Sequence, residues 1–178
     1  EKTFKEDTKM KNTANLITNM KTQTIGVEVE MNSITRKKAA SLVSEYFGTR
    51  AFDAAREYGY CSWACRDRKG RTWKFQKDVS IQGPDEEKCE MVTPILTYDD
   101  IEDLQEIIRI LRKAGAKSDA SRGCGVHIHI GANGHTPQTM RNLTNIMASH
   151  ESLLAEALDL DRGRISRYCK TVDERFLK

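Results

Sequence analysis

Long hydrophobic segments are missing from this sequence, since no apolar run approaches the length of about 20 residues that a membrane-spanning helix needs. Cysteine is also scarce: the chain of 178 residues has five, an odd number without the spacing of a secreted disulfide framework. These absences argue against a membrane partner and against a fold held together by disulfide bonds. We therefore expect a reduced, cytoplasmic protein with a hydrophobic core of ordinary size.

Glycine-rich loops that cradle phosphate groups are missing too, because the chain has neither a GxxxxGK[ST] nor a GxGxxG sequence. Charge of one sign is not in large excess: 29 Lys and Arg residues against 26 Asp and Glu give a net charge of +3. The two signs alternate along the chain, whereas a nucleic-acid-binding protein usually concentrates basic residues on one face. We therefore expect no nucleic-acid partner, and a nucleotide would have to be bound by another device.

The chain divides into a polar N-terminal stretch and a longer patterned region. Residues 1–23 are rich in Lys, Thr and Asn and are predicted to form a flexible tail. Residues 24–178 alternate strand-like and helix-like patterns, which predicts one domain of the α+β class. Helical spacing of apolar residues predicts helices over 33–47, over 97–115 and from 136 onward. Strands are predicted over 24–32, 58–65, 71–81, 89–96 and 124–131.

The strands are predicted to form a mainly antiparallel sheet with helices packed on one face. The strands 58–65 and 71–81 are joined by the turn sequence RDRKG, which indicates a hairpin. The second of them alternates, and its apolar face would carry Trp73, Phe75, Val79 and Ile81.

Acidic and histidine residues lie at alternate positions of the first and last predicted strands. Glu28 and Glu30 project from one face of the first strand, and His127 and His129 do the same in the last one. The opposite face of both strands is apolar, so we expect it to pack against the helices. The acidic and histidine face would then be open to a ligand.

Two further strands each add a carboxylate to this face, Asp78 and Glu90. Clustered carboxylates repel one another unless a cation lies among them. Oxygen ligands suit Mg²⁺, and an imidazole ligand moves the preference toward Mn²⁺. Ions in such a site could bind a nucleotide through its phosphate oxygens. Each motif alone is also compatible with a solvated strand face, and the same set could serve a metal-dependent hydrolase.

Seven stretches carry a family resemblance, and they occur in the family's order. They are GVEVEM at 26–31, ITRKKAASLVSEYFGT at 34–49, GRTWKFQKDVSI at 70–81, CEMVTPILTYDDIE at 89–102, LRKAGAKSDASRGCGVHIHIGANGHT at 111–136, LTNIMASHESLL at 143–154 and RYCKTVDERFL at 167–177. Together they resemble the amidoligase family of bacterial and mobile-element genomes. That family is a branch of the glutamine synthetase and glutamate–cysteine ligase superfamily.

The resemblance implies a glutamine synthetase-like catalytic core over residues 24–178. By that resemblance the E-x-E of the first strand binds catalytic metal ions, as does the Glu that precedes the Pro-containing segment. The first histidine of GVHIHIG would be another ligand and the second a further candidate, while the Asp before the Ser of KDVSI would lie near the acceptor or phosphate. These positions are Glu28, Glu30, Glu90, His127, His129 and Asp78.

The implied activity is ligation of a carboxylate to an amine at the expense of ATP, through an acyl phosphate. ATP and Mg²⁺, with Mn²⁺ as an alternative, are the implied cofactors. Glu28, Glu30, Glu90 and His127 would hold the nucleotide through the ions. The partners would be a carboxylate and an amine, with peptides and proteins among the open choices.

One departure from the superfamily follows His129. Superfamily members have a later strand with a further metal-binding Glu and a nearby Arg, and no later stretch of this chain reads as that strand. We therefore expect residues 24–178 to be the N-terminal part of the domain, completed by a further chain segment or subunit and not fully active alone. A partial domain that binds nucleotide without chemistry is the remaining alternative.

Overall fold

A computed structural model describes residues 13–132 and 134–177, apart from the side chain of Glu174. The chain forms two compact units that divide after Gly131. Residues 13–21, assigned to the tail in the sequence, form helix α1. The first twelve residues of the predicted tail lie outside the described residues.

The first unit contains a six-stranded sheet with neighbouring strands in the order β2–β3–β4–β5–β1–β6, and every neighbouring pair is antiparallel. This confirms the predicted α+β class with a mainly antiparallel sheet. The strands are β1 (Ile25–Met31), β2 (Phe52–Asp53), β3 (Trp63–Arg66), β4 (Thr72–Gln76), β5 (Cys89–Val92) and β6 (Val126–Ile130). The helices of this unit after α1 are α2 (Arg36–Phe47), α3 (Ala55–Tyr58) and α4 (Ile101–Lys113).

Helix α2 covers one face of the sheet. It begins where the Thr35 hydroxyl accepts a hydrogen bond from the Lys38 N–H, and it ends at Gly48, whose φ of 70° favours glycine. Its buried stripe packs against β3 and β4, with the rings of Phe47 and Trp73 at a centroid distance of 5.5 Å. Burial of this stripe holds the helix on the sheet.

Alternation along β1 separates a core face from a polar face. Val27, Val29 and Met31 belong to the same buried cluster as Ile107 and Leu111 of α4. The even-numbered residues therefore project from the other face of the sheet. The predicted packing of this strand's apolar face is confirmed.

A buried charge network joins the β3–β4 turn to the start of α4. Asp100 is 2% exposed and pairs with Arg71 at 2.9 Å and with Lys69 at 2.7 Å. Arg71 also pairs with Asp67 at 2.7 Å. The guanidinium of Arg71 holds the pKa of Asp100 well below its usual range. The predicted hairpin is thus present, and its turn is tied to the helix that covers β1.

The second hairpin strand is shorter than predicted. Strand β4 ends at Gln76, because Asp78 Oδ1 accepts a hydrogen bond of 2.7 Å from the Ser80 N–H and closes a turn. Val79 is consequently 81% exposed, whereas Ile81 returns to the core at 1%. Asp78 therefore lies just beyond a strand, and the prediction of Val79 as a core residue was wrong.

Within the described part of the first unit, no helix packs against the apolar face of β6. Val126, Ile128 and Ile130 are 55%, 65% and 59% exposed. Within the described residues β6 pairs only with β1, and it is the edge strand on this side of the sheet. The prediction that this face packs against helices is wrong for the described helices of the first unit, because α2 packs over β3 and β4 and α4 packs over β1.

The second unit is helical. Helix α5 (Pro137–Ala157) begins at Thr136, as predicted, and Thr136 exchanges hydrogen bonds with Thr139. Helix α6 (Arg162–Arg167) follows, and the Val172 N–H then donates a 2.8 Å hydrogen bond to Glu151. No described helix of the protein is both long and apolar enough to cross a membrane.

Candidate metal-binding site

The register of β1 with its two neighbours gathers the acidic and histidine residues on the polar face of the sheet. On one side Glu30 lies opposite Glu90 of β5, and on the other Glu28 lies opposite His127 of β6. Opposed residues of an antiparallel pair project from the same face. Four candidates from three segments of the chain that are far apart in sequence are therefore neighbours.

One group of potential ligands consists of Glu28, Glu90 and His127. Each offers a ligand atom, and these atoms all lie within 4.8 Å of one another. His127 Nδ1 is 3.1 Å from Glu28 Oε2. His129 Nε2 is 3.4 Å from the other oxygen of the same carboxylate, so Glu28 lies between two imidazoles.

A second group consists of Glu30, Asp78 and Glu90, whose ligand atoms also lie within 4.8 Å of one another. Glu90 belongs to both groups. Glu30 and Glu90 are buried, whereas Asp78 is half-buried at the start of its turn. All six residues predicted from the sequence are thus on one face, and five of them form two overlapping groups.

The shared residue, Glu90, is in an environment that disfavours its charge. Burial raises the pKa of the Glu90 carboxyl above its ordinary value of 4.5. The Gln76 amide opposes that shift by donating a 2.7 Å hydrogen bond to Glu90 Oε2. The negative charges of three nearby carboxylates, Glu28, Asp78 and Glu30, raise the pKa further.

Two functional contacts were missed in the sequence. Gln76 orients Glu90, and the Gly125 N–H donates a 2.6 Å hydrogen bond to Glu30 Oε2. The polar position of Gln76 in an alternating strand was a weak signal for the first. A backbone donor leaves no mark in a sequence, so the second required the tertiary structure.

The arrangement fits divalent cations. A cation would stabilise the ionised form of Glu90, which is buried among three other carboxylates. Oxygen donors with one imidazole suit Mg²⁺ or Mn²⁺. The two groups that share Glu90 could hold two ions side by side. Chemically, such a pair can bind and neutralise phosphate oxygens.

Comparison with known proteins gives one match. Residues 21–178 match the sequence profile of the family described as "Putative amidoligase enzyme". No curated protein and no solved structure matches the chain. The match covers far more than half of the sequence and includes every residue of the two groups of potential ligands. The chain belongs to the amidoligase family.

Proposed function

We propose that this amidoligase is an ATP- and Mg²⁺-dependent carboxylate–amine ligase that forms an amide through an acyl phosphate. Membership of the family supports an enzyme that forms amide bonds. The observation that carries the finer proposal is the pair of overlapping carboxylate groups with one histidine. Phosphoryl transfer requires positioning and neutralisation of charge rather than a protein nucleophile, and cations held by these residues would supply both.

The residues that would hold the ions are those of the two groups. Glu28, Glu90 and His127 would hold one ion, and Glu30, Asp78 and Glu90 a second, with Mn²⁺ able to replace Mg²⁺. Bound ions would neutralise the phosphate oxygens of ATP. The Gln76 amide donates to Glu90 Oε2 and the Gly125 N–H donates to Glu30 Oε2, and these two hydrogen bonds orient the carboxylates within the groups.

The reaction we propose has two steps. An oxygen of the substrate carboxylate attacks the γ-phosphorus of ATP, the bond to the bridging oxygen breaks, and ADP leaves. The amine nitrogen then attacks the acyl carbon, the carbon–oxygen bond to phosphate breaks, and the amine gives a proton to solvent. Asp78, half-buried at the start of its turn, would lie near the acceptor or phosphate.

The partners we propose are a carboxylate and an amine, with peptides and proteins among the candidates, and a further chain segment or subunit. The last of these would cover the exposed apolar face of β6, next to His127. None of the five cysteines forms a disulfide bond, which supports the cytoplasmic location that we propose.

Variants of the first group test the proposal. We expect Glu28→Gln and His127→Ala each to weaken binding of ATP–Mg²⁺ at least about tenfold in calorimetry, because each removes a ligand. Glu45→Gln, on the exposed side of α2, and His150→Ala, on α5, should bind as the parent does. Thermal unfolding would check that all four variants remain folded.

Three results would contradict the proposal in different ways. If both Glu28→Gln and His127→Ala bind ATP–Mg²⁺ as the parent does, these residues do not hold the nucleotide and the proposed site is wrong. Tight binding of a transition metal without any affinity for ATP would favour a metal-dependent hydrolase. Binding of ATP–Mg²⁺ without ADP release in the completed protein, substrates supplied, would indicate a non-catalytic nucleotide-binding domain.

A further inference from the structure

A row of side chains crosses the polar face of the sheet at the level of Glu28. Consecutive strands place its members directly opposite one another. In order from β2 to β6 the row is Phe52, Ala64, Lys74, Val92, Glu28 and His127. Lys74 is the one cation of this row, and only Val92 separates it from Glu28.

The ammonium of Lys74 lies over an aromatic ring rather than beside an acidic group of the described residues. Its Nζ lies 5.1 Å from the centroid of the Tyr58 ring, and no carboxylate among the described residues forms an ion pair with it. The residue is half-buried. A cation held over an aromatic ring is kept in place while its N–H donors stay available to a ligand.

The spacing between Lys74 and the carboxylates suits an extended anion. Strands lie about 4.8 Å apart, so the backbones of Lys74 and Glu28 are separated by about 10 Å. Val92 forms the floor of this gap and adds no charge. A triphosphate can bridge the gap because each of its phosphates carries its own oxygens. A ligand with a single carboxylate would reach either Lys74 or the residues around Glu28, but not both.

We propose that Lys74 forms an anion subsite that binds phosphate oxygens of a nucleoside triphosphate whose other oxygens lie at Glu28, Glu90 and His127. The inference rests on the proposed function and adds to it a cationic residue outside the metal-binding groups. A lysine ammonium suits this role because it is a compact charge with three donors on a flexible stem. It would bind nucleotide without binding the ions.

The test uses three variants of the full chain. Lys74→Met removes the charge, and Lys74→Arg keeps it. Lys37→Met is a matched control, because Lys37 Nζ also lies over an aromatic ring, 5.0 Å from the centroid of Trp63, but on the helix-covered side of the sheet. Calorimetry would measure binding of Mn²⁺ alone and of ATP in the presence of Mn²⁺, and thermal unfolding would report folding.

We expect Lys74→Met to weaken ATP binding about tenfold or more, because a charge-assisted hydrogen bond is lost, with Mn²⁺ affinity and unfolding temperature unchanged. Lys74→Arg should recover most of the affinity, and Lys37→Met should match the parent.

Two results would overturn the anion subsite but not the proposed function. One is an ATP affinity of Lys74→Met within twofold of the parent, and the other is an equal loss of ATP affinity in Lys37→Met. If the parent binds Mn²⁺ but no ATP, the proposed function fails and the subsite with it. If Lys74→Met unfolds, the folded Lys74→Arg variant provides the test. A loss of ATP affinity in Lys74→Arg as large as that in Glu28→Gln would overturn the anion subsite.

Discussion

At the scale of single residues, Glu90 is a buried carboxylate that lies close to three others on the polar face of the sheet. It is 7% exposed and belongs to both potential ligand groups. Burial and the neighbouring carboxylates raise the pKa of Glu90 above its ordinary value of 4.5. In the absence of a cation, the folded protein therefore binds the Glu90 proton more tightly than the unfolded chain does.

The burial of Glu90 among other carboxylates predicts opposite effects of Glu90→Gln on stability and on metal binding. For the metal-free protein at neutral pH, we expect the free energy of unfolding to rise, because a buried charge is replaced by a neutral amide. Mn²⁺ affinity should fall at least about tenfold, because a shared ligand is lost. Chemical denaturation and calorimetry would measure the two quantities.

The same substitution also predicts a change in pH dependence. In the parent, the unfolding free energy should decrease as pH rises from about 4.5 through the folded-state pKa of Glu90, because only the unfolded chain releases the proton over that window. This decrease should be smaller in Glu90→Gln and unchanged in Glu45→Gln. A Glu90→Gln variant that is less stable than the parent at pH 7 without metal would contradict this account.

At the scale of elements, the loop before β6 contacts two members of the second group of potential ligands, Glu30 and the turn that carries Asp78. This loop supplies the Gly125 N–H to Glu30, and it packs on the turn that carries Asp78. Gly123 has a φ of 71°, and a Cβ added there would lie 2.6 Å from the Ser80 carbonyl oxygen. Only glycine allows this close approach of the two backbones.

We expect Gly123→Ala to lower the unfolding free energy more than Gly70→Ala does. Both residues have positive φ, where a side chain costs about 1–2 kcal/mol, but Gly70 has open space around its Cβ position. Gly123→Ala should cost about 1–3 kcal/mol more because two backbones must move apart. It should also weaken Mn²⁺ binding, because the loop positions Glu30. Equal costs in the two variants would show that the close approach is unimportant.

At the scale of the whole molecule, the sheet of the first unit has β6 as its edge strand beside the candidate site, and the apolar side chains of β6 are more than half exposed. Exposed edge strands without charged or proline residues tend to pair with other chains. The apolar side chains of β6 are Val and Ile, and the two histidines of its other face, His127 and His129, lie at the candidate site. This surface is where we place the completing segment or subunit.

A pair of opposed residues tests the exposure of this face. Ile128 of β6 is 65% exposed, and Val27, directly opposite it in β1, is 6% exposed. We expect Ile128→Thr to change the unfolding free energy by less than about 0.5 kcal/mol and to reduce self-association in sedimentation experiments. Val27→Thr should cost about 1–3 kcal/mol, because it buries a hydroxyl group. Equal costs at the two positions would mean that the β6 face is covered in solution.

Much of the fold and of the site could be predicted from local pattern. Alternation with a period of two placed Glu28 with Glu30 and His127 with His129, and it separated them from the apolar face. The hairpin followed from two alternating runs around RDRKG, and α5 began at its predicted cap. These predictions succeeded because each depends on residues that are close in the chain. The end of β4 was missed because a side-chain hydrogen bond of Asp78 turned the chain.

Alternation, turn residues and caps thus determined by themselves which faces and elements this chain would form. Only the tertiary structure decided which strands are neighbours: Glu28 and His127 are 99 positions apart, yet the pairing of β1 with β6 brings them to 3.1 Å. It also decided that Gln76 and the Gly125 N–H engage the carboxylates, that Lys74 lies on the same face of the sheet, and that β6 pairs only with β1 among the described residues. Strand order and register depend on contacts between distant segments, and a local pattern contains no information about them.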